Sequence, residues 1–355
     1  MSNQKMRAVR LFAPGDIRCV EIEKPDIKED DDIIIKVKAC GVCGSDIERV
    51  MEKGAHEMPL TIGHEFAGVV EQTGKKAAGF ESGDRVTVMP LLPCGECDYC
   101  KVGEFVLCEN YSYYGSRING AMAEYIRVKP DNVLKLPENV NFEMGAMTDP
   151  ISVALHAVRQ VDRIEAGQKA AVLGMGPIGY AALQWLKNLG CGQVYAVDIF
   201  DEKLNLANQL GADFCINGKS QDVVEEIMKQ TNGEGVDIAI ELAGTTTTQV
   251  QSIQILKKMG TAVYAGISYD NLEFPNKTLN SILREQLNIK GSWNSKISPL
   301  PINEWKSSLE FMNTGQIKTR PLISHRFRLE DCQECFDMMY NKTEVFTKVL
   351  FKPEK

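Results

Sequence analysis

Two short stretches carry the donors of a metal centre. Cys43-Gly44-Ser45-Asp46 offers a thiol and, two residues on, a hydroxyl, while Gly63-His64-Glu65 offers an imidazole beside a carboxylate. Sulfur, nitrogen and oxygen donors are those that zinc takes, and a catalytic zinc uses three protein ligands and leaves a fourth position for water or substrate. For that chemistry a loop bearing Cys43 must converge with a second segment bearing His64 and Glu65. Taken alone, the two segments fit a buried thiol and a satisfied histidine equally well.

A second set is more specific. Cys94, Cys97, Cys100 and Cys108 stand at C-x2-C-x2-C-x7-C. Four thiolates at such spacing close a tetrahedral shell around one zinc and leave no position for chemistry, so the expected role is to fold a lobe. An iron–sulfur cluster is the rival occupant. Glycines and charged residues around the four mark an exposed loop, a poor place for idle thiols. Eleven cysteines in 355 residues is an odd number in a chain far too long for a disulfide-stapled scaffold, which points to reduced thiols and metal ligation.

The third pattern is Gly174-Met175-Gly176-Pro177-Ile178-Gly179, which fits G-x-G-x-x-G between a predicted strand, Ala170–Leu173, and a predicted helix, Ile178–Leu189. The first glycine permits the tight turn, the second lets the backbone approach a pyrophosphate, and the third lets helix and sheet pack closely. The helix N-terminus then offers free N–H groups to the phosphates. Asp198, nineteen residues past Gly179, ends the next predicted strand, where a carboxylate reads a ribose 2′-hydroxyl. Asp201 and Glu202 follow and no arginine does, which favours NAD over NADP.

These groups need a scaffold, and its class is α/β. Residues 1–150 read as short strands between Gly, Pro and Asp-rich turns, with Ser45-Asp46 opening a short helix through about Met51. A partly closed barrel is expected there. After Pro150 a helix over Ile151–Val161 leads into six strands alternating with helices, among them a helix over Thr247–Lys258 and a strand over Thr261–Ala265. Such alternation predicts a doubly wound, six-stranded parallel sheet. Helices over Ile302–Met312 and Leu329–Tyr340 and a last strand over Val345–Lys352 form a tail too small for a domain, which is expected to return to the N-terminal one.

A net charge of −8 argues against nucleic-acid and anionic-membrane partners. The N-terminus lacks the apolar stretch of a secretory signal, and the longest nearly apolar run, Ala170–Leu186, is interrupted by glycines and a proline, so a cytoplasmic protein is expected. Cys40, Cys332, Cys335, Cys19, Cys191, Cys215 and His156 read as packing residues and His325 as exposed.

Together, Gly41-Val42-Cys43-Gly44-Ser45-Asp46, Gly63-His64-Glu65-Phe66-Ala67-Gly68, the four-cysteine loop and Gly174–Gly179 resemble the zinc-dependent medium-chain dehydrogenase/reductase family over nearly the whole chain. Within it, Gly54-Ala55-His56, Pro90-Leu91-Leu92-Pro93-Cys94, Gly115-Ser116-Arg117, Ile282-Leu283-Arg284-Glu285 and Gly291-Ser292-Trp293 resemble the polyol dehydrogenase group. The resemblance implies a GroES-like catalytic domain over 1–153, a Rossmann NAD-binding domain over 154–294, a return segment over 295–355 completing the first, and an active-site cleft between the two domains. It implies two zinc ions per chain, one catalytic and one structural. Around the catalytic zinc it implies Cys43, His64 and Glu65, with Asp149 at a fourth corner where the polyol group usually has the one-methylene-longer glutamate. Asp46 would hydrogen-bond the second nitrogen of His64, and Ser45 would relay the substrate proton. NAD would lie against Gly174, Gly176, Pro177, Ile178, Gly179, Asp198, Lys203, Ala243 and Gly266. The implied reaction is oxidation of a secondary hydroxyl of a sugar-alcohol phosphate to a ketose phosphate, with Arg49 and Arg117 as phosphate-binding candidates and His56 lining the cleft. An unphosphorylated polyol or threonine is the alternative substrate, and an NADH-sensing or structural member of the fold the non-enzyme alternative. A homodimer or homotetramer is expected.

Overall fold

A computed structural model describes residues 4–298 and 301–354. The chain divides into two compact units, residues 1–149, 296–315 and 319–355 in the first, and residues 150–295 and 316–318 in the second.

The first unit is built on the β-branched run that begins at Ile33. Strands β1 (Lys5–Ala13) and β2 (Asp16–Glu23) form an antiparallel pair, to which the two-residue strand β4 (Leu60–Thr61) adds. The larger sheet centres on β3 (Ile33–Gly41), flanked by β5 (Glu65–Thr73), β6 (Arg85–Val88) and β10 (Val133–Lys135), with β9 (Tyr125–Val128) also pairing β3; β7 (Leu91–Leu92) and β8 (Ser112–Tyr113) form a separate ribbon. Ile33, Ile34 and Ile35 are all essentially inaccessible, so β3 is covered on both faces and its sequence shows a continuous apolar run in place of alternation. Helices α1 (Gly44–Glu48) and α2 (Asp98–Lys101) are short, and α3 (Phe142–Ala146) packs over β3, β5 and β6. The predicted helix after Ser45 stops early: a π turn over Arg49–Lys53 follows, and Gly54 (φ +75°) ends it.

In the second unit, the predicted helix after Pro150 is shifted. It is α4, Thr148–Val158, with Pro150 in its first turn, where a missing N–H costs nothing. Strands β11 (Lys169–Leu173), β12 (Gln193–Asp198), β13 (Phe214–Asn217), β14 (Val236–Glu241), β15 (Leu256–Tyr264) and β16 (Asn288–Gly291) form one parallel sheet in the order β13-β12-β11-β14-β15-β16. The helices between them are α5 (Pro177–Asn188), α6 (Asp201–Gln209), α7 (Val223–Gln230), α8 (Thr246–Gln254) and α9 (Asn276–Arg284). The sheet order reverses at β11 and β14, the point at which doubly wound sheets bind dinucleotides. Residues 256–258, expected at the end of a helix, instead open β15; the strand pairs with β14 from Leu256 and bends where Met259 adopts a left-handed backbone (φ +64°).

The tail carries α10 (Glu304–Asn313), a strand that sequence reasoning did not foresee, β17 (Ile323–Phe327), then α11 (Cys332–Asn341) and β18 (Lys348–Phe351). Strand β18 lies antiparallel to β3, and α11 sinks Cys332, Cys335, Phe336 and Met339 into the core that β3 and β5 share. Strand β17 escaped notice because it is a five-residue edge strand with a polar run, in which Ser324 and Arg326 are exposed and His325 half-buried. His325, expected to be exposed, is half-buried and pairs with Glu344 at 3.0 Å. Among the described residues no helix is long and apolar enough to cross a membrane.

Candidate metal and dinucleotide sites

Each ligand-bearing stretch begins or ends a strand of the first unit. Cys43 follows β3 and occupies the N-cap of α1, while His64 immediately precedes β5 and Glu65 is its first residue. Pairing of Gly41 with Glu65 brings the two segments together. As a result Cys43 Sγ, a His64 ring nitrogen and a Glu65 carboxylate oxygen all lie within 4.8 Å of one another. His64 and Glu65 are buried and Cys43 is half-buried, so the three donors are shielded from bulk water.

The donor set fits a metal of the zinc type on its own chemistry. His64 Nδ1 is buried and lacks a hydrogen-bond partner among the described residues. Burial alone would push the imidazole down, yet Asp46 and then Cys43 outweigh it and hold His64 raised to about 10. A site that attracts a proton so strongly is one that attracts a cation, and a bound metal would displace that proton. Asp149, in the first turn of α4, is buried beside the three. It is not among the mutually close ligand atoms, although its charge acts on His64. Burial, opposed by His64 and reinforced by Glu65, raises its carboxyl to about 7. Ser45 is half-buried on α1. The ring of Tyr113 packs edge-on against His64, with centroids 5.4 Å apart.

Asp46 organises this corner, but not as expected. It is wholly buried; Oδ2 accepts the Cys43 N–H at 3.1 Å, closing the first turn of α1, and Oδ1 takes the Arg49 guanidinium. The expected hydrogen bond to His64 is absent: Asp46 Oδ1 stands 3.7 Å from Nδ1, too long for one, so Asp46 acts on the ring by charge. Arg49, expected near a substrate phosphate, is thereby committed to Asp46, three residues back on the same turn.

Of the other substrate candidates, His56 is exposed and Arg117 is exposed with its guanidinium 4.5 Å from the Tyr111 ring centroid. The turn that carries Arg117 rests on the His64 segment. Gly120 N–H donates to Thr61 O at 2.7 Å and Ala121 N–H to Gly63 O at 2.8 Å, and a side chain at Gly115 would strike the Gly63 backbone. Two residues at the metal and dinucleotide sites were not foreseen. Lys348, on β18, is wholly buried with its ammonium on the Glu65 carboxylate. Glu241, at the end of β14, is buried and accepts the Ala243 and Gly244 N–H groups, each at 2.9 Å, and the Thr248 hydroxyl at 2.8 Å.

The four-cysteine loop gathers its sulfurs. Cys94, Cys97, Cys100 and Cys108 also lie within 4.8 Å of one another, and all cysteines of the chain are free thiols. Backbone N–H groups point at them, Cys94 N at Cys108 Sγ (3.2 Å) and Cys97 N at Cys94 Sγ (3.4 Å), as suits thiolates. The N–H groups of Glu109 and Cys100 hold the Cys97 thiol down to about 6, while burial pushes Cys100 up to about 12. A metal bound there would draw the second thiolate out as well.

In the second unit the glycine turn has the form the fingerprint requires. Gly174 sits at φ +103° against Ala243, a side chain at Gly179 would strike the Gly174 carbonyl, and a side chain at Gly176 would meet nothing within 4 Å. Open space at Gly176 is what backbone approach to a pyrophosphate needs. Gly176 caps α5, with Pro177 and Ile178 in its first turn. Asp198 Oδ2 accepts the Met175 N–H at 2.8 Å and Oδ1 the Ile199 N–H at 2.8 Å, so the carboxylate also braces the turn. Lys203 lies over Phe200, Ala243 is exposed beside Gly174, and Gly266 leaves room for the Glu241 carboxylate.

The two ligand sets predict a separable response. Cys94→Ser should lose about half the zinc and much thermal stability, whereas Cys43→Ser should lose zinc and turnover while staying folded. Elemental analysis with a melting curve checks both, and iron in the four-cysteine loop would contradict the zinc assignment.

Comparison with known proteins gives the family of the chain. Residues 29–138 match the alcohol dehydrogenase GroES-like domain family and residues 177–314 the zinc-binding dehydrogenase family. The chain is 34% identical to galactitol 1-phosphate 5-dehydrogenase of Escherichia coli K12, over 92% of this chain and 94% of that protein. It is 30% identical to sorbitol dehydrogenase of Bacillus subtilis, over 99% and 98%. The crystal structure of the Escherichia coli galactitol-1-phosphate dehydrogenase superimposes with a TM-score of 0.92 at 32% identity, covering 98% of this chain and 100% of that one. A protein of Sinorhizobium meliloti described as a zinc-binding dehydrogenase and solved with NADP superimposes with a TM-score of 0.90 at 30% identity, covering 99% and 100%. The chain belongs to the zinc-dependent medium-chain dehydrogenase/reductase family, and within it to the polyol dehydrogenases.

Proposed function

We propose that this polyol dehydrogenase oxidises a secondary hydroxyl of a sugar-alcohol phosphate to the ketose phosphate, with NAD as acceptor. The observation that carries the substrate class is the likeness to galactitol 1-phosphate 5-dehydrogenase across nearly the whole of both chains. Cys43, His64 and Glu65 would hold a catalytic zinc, with Asp149 beside them, and Cys94, Cys97, Cys100 and Cys108 a structural one. The first would supply a Lewis acid that lowers the pKa of a substrate hydroxyl. Ser45 would take the proton away, and Asp46, held by Arg49, stands beside His64 with Oδ1 3.7 Å from Nδ1. Gly174, Gly176 and Gly179 would hold the pyrophosphate of a nicotinamide cofactor, which would supply the acceptor for the oxidation. The chain is proposed to assemble as a homodimer or homotetramer.

With Arg49 committed to Asp46, Arg117 is the remaining arginine of the two for the substrate phosphate. A guanidinium holds a phosphate through paired hydrogen bonds that a neutral polyol cannot use. An unphosphorylated polyol is the second reading, favoured by the full-length likeness to sorbitol dehydrogenase. A charge-assisted contact contributes about 1.5–3 kcal/mol, roughly ten- to hundred-fold in kcat/KM. Galactitol 1-phosphate should therefore exceed galactitol by at least that factor in an NADH absorbance assay, and Arg117→Ala should remove much of the gap. Equal kcat/KM for the two would favour the plain polyol.

The preference for NAD rests on Asp198, which would repel the 2′-phosphate of NADP. Asp198→Ala should weaken NAD far more than NADP in parallel titrations. Since the same carboxylate braces the glycine turn, some loss is expected for both, and equal losses would defeat the assignment.

A further inference from the structure

A glutamate is almost never fully buried unless its carboxylate is held by partners. Glu241, the last residue of β14, is wholly buried, and the partners that hold it are neutral. Its side chain turns back on the loop that follows it. Oε1 alone takes the N–H groups of Ala243 and Gly244 and the hydroxyl of Thr248 in the first turn of α8. The main-chain oxygen of the same residue takes the N–H groups of Ala265 and Gly266, each at 3.0 Å, just past the end of β15. One residue thus fastens the chain beyond both strands. Oε2 has no hydrogen-bond partner among the described residues. It fills the space that a side chain at Gly266 would need, since a Cβ there would lie 2.7 Å from Oε2 and collide with Gly244 N. Burial pushes the carboxyl above its usual range, against the pull of Thr248 and the two N–H groups. These surroundings favour an oxygen in the place of Oε1 over a charge.

The loop that Glu241 holds meets the glycine turn. A Cβ at Gly174 would lie 2.7 Å from Ala243 N, the group that donates to Oε1. A doubly wound sheet takes one nucleotide on each of its halves, on either side of the point where the strand order reverses. With the adenosine ribose assigned to Asp198 on β12, the chain beyond β14 and β15 is left for the nicotinamide nucleotide. We propose that Glu241 is a positioning residue of the dinucleotide site, whose carboxyl sets the Ala243–Gly244 turn between Gly174 and Gly266 in the arrangement that receives the nicotinamide half. Without Oε1 the turn would be free to take other arrangements, and affinity falls with the fraction that stays competent. The inference rests on the reading of Gly174–Gly179 as a dinucleotide site.

The test compares the full-length wild type with Glu241→Leu, Glu241→Asp and Glu241→Gln. Each is titrated with NADH or NADPH, whichever the wild type binds more tightly, by fluorescence, and with adenosine 5′-monophosphate by calorimetry. Glu241→Leu removes the acceptor and should weaken the reduced dinucleotide about ten-fold, as when a tenth of the molecules stay competent. The monophosphate, which lacks the nicotinamide half, should bind within about two-fold of the wild type in the same variant. Glu241→Asp keeps the acid but draws its oxygens one methylene back, and should follow Glu241→Leu. Glu241→Gln keeps an oxygen in the place of Oε1 without the charge, and should return both affinities to the wild type. If Glu241→Leu does not fold, Glu241→Asp carries the comparison. Equal weakening of dinucleotide and monophosphate would mark a general structural role and overturn the proposal. Unchanged dinucleotide affinity in the folded variants overturns it too, as does a Glu241→Gln variant that behaves like Glu241→Leu, which would make the charge the active property. A wild type that binds neither ligand overturns instead the dinucleotide reading on which it rests.

Discussion

The buried contact between Lys348 and Glu65 ties the last strand of the chain to the segments that carry Cys43 and His64. Breaking a buried ion pair by removing one member costs about 3–5 kcal/mol, because the survivor is left charged and unpaired. The pair therefore locks the last strand of the chain, β18, to β5 across β3, and requires a glycine at position 41. The same register that lets the two side chains meet sets Glu65 opposite Gly41 and brings His64 beside Cys43. The C-terminal tail thus contributes a side chain to the metal site, although none of its described residues is in a candidate ligand group.

A second buried anion braces the other side. Asp46 receives the Cys43 N–H and the Arg49 guanidinium and stands 3.7 Å from His64 Nδ1. Two cations meet this cluster, Lys348 on the Glu65 carboxylate and Arg49 on the Asp46 carboxylate. The four-cysteine lobe gathers its own sulfurs, with backbone N–H groups aimed at them.

Legibility in the sequence followed sequence distance. The glycine turn, the four cysteines and the order of strands and helices in the second unit are local patterns, and local spacing was enough to read them. Cys43 and the His64-Glu65 pair were legible as donor types, with the family pattern supplying their convergence. Lys348 was not, because 348 − 65 = 283 residues separate it from Glu65 and only the pairing of β18 with β3 makes it an interior residue. Arg49 was misread for the opposite reason: its spacing from Asp46 is that of a helical ion pair, and the nearer carboxylate claimed it. Glu241 carries no motif at all, since its role comes from the N–H groups that the chain turns back towards it.

The chemistry proposed for the first unit depends on a cation at Cys43, His64 and Glu65. The most direct measurement is an anomalous-difference map at the zinc edge from crystals of protein purified without chelator. Two peaks per chain are expected, one in the four-cysteine loop and one bounded by Cys43 Sγ, the His64 ring and Glu65 or Asp149, with Lys348 still on the Glu65 carboxylate. A peak in the four-cysteine loop alone, with His64 and Glu65 turned away from Cys43 in the same map, would contradict it.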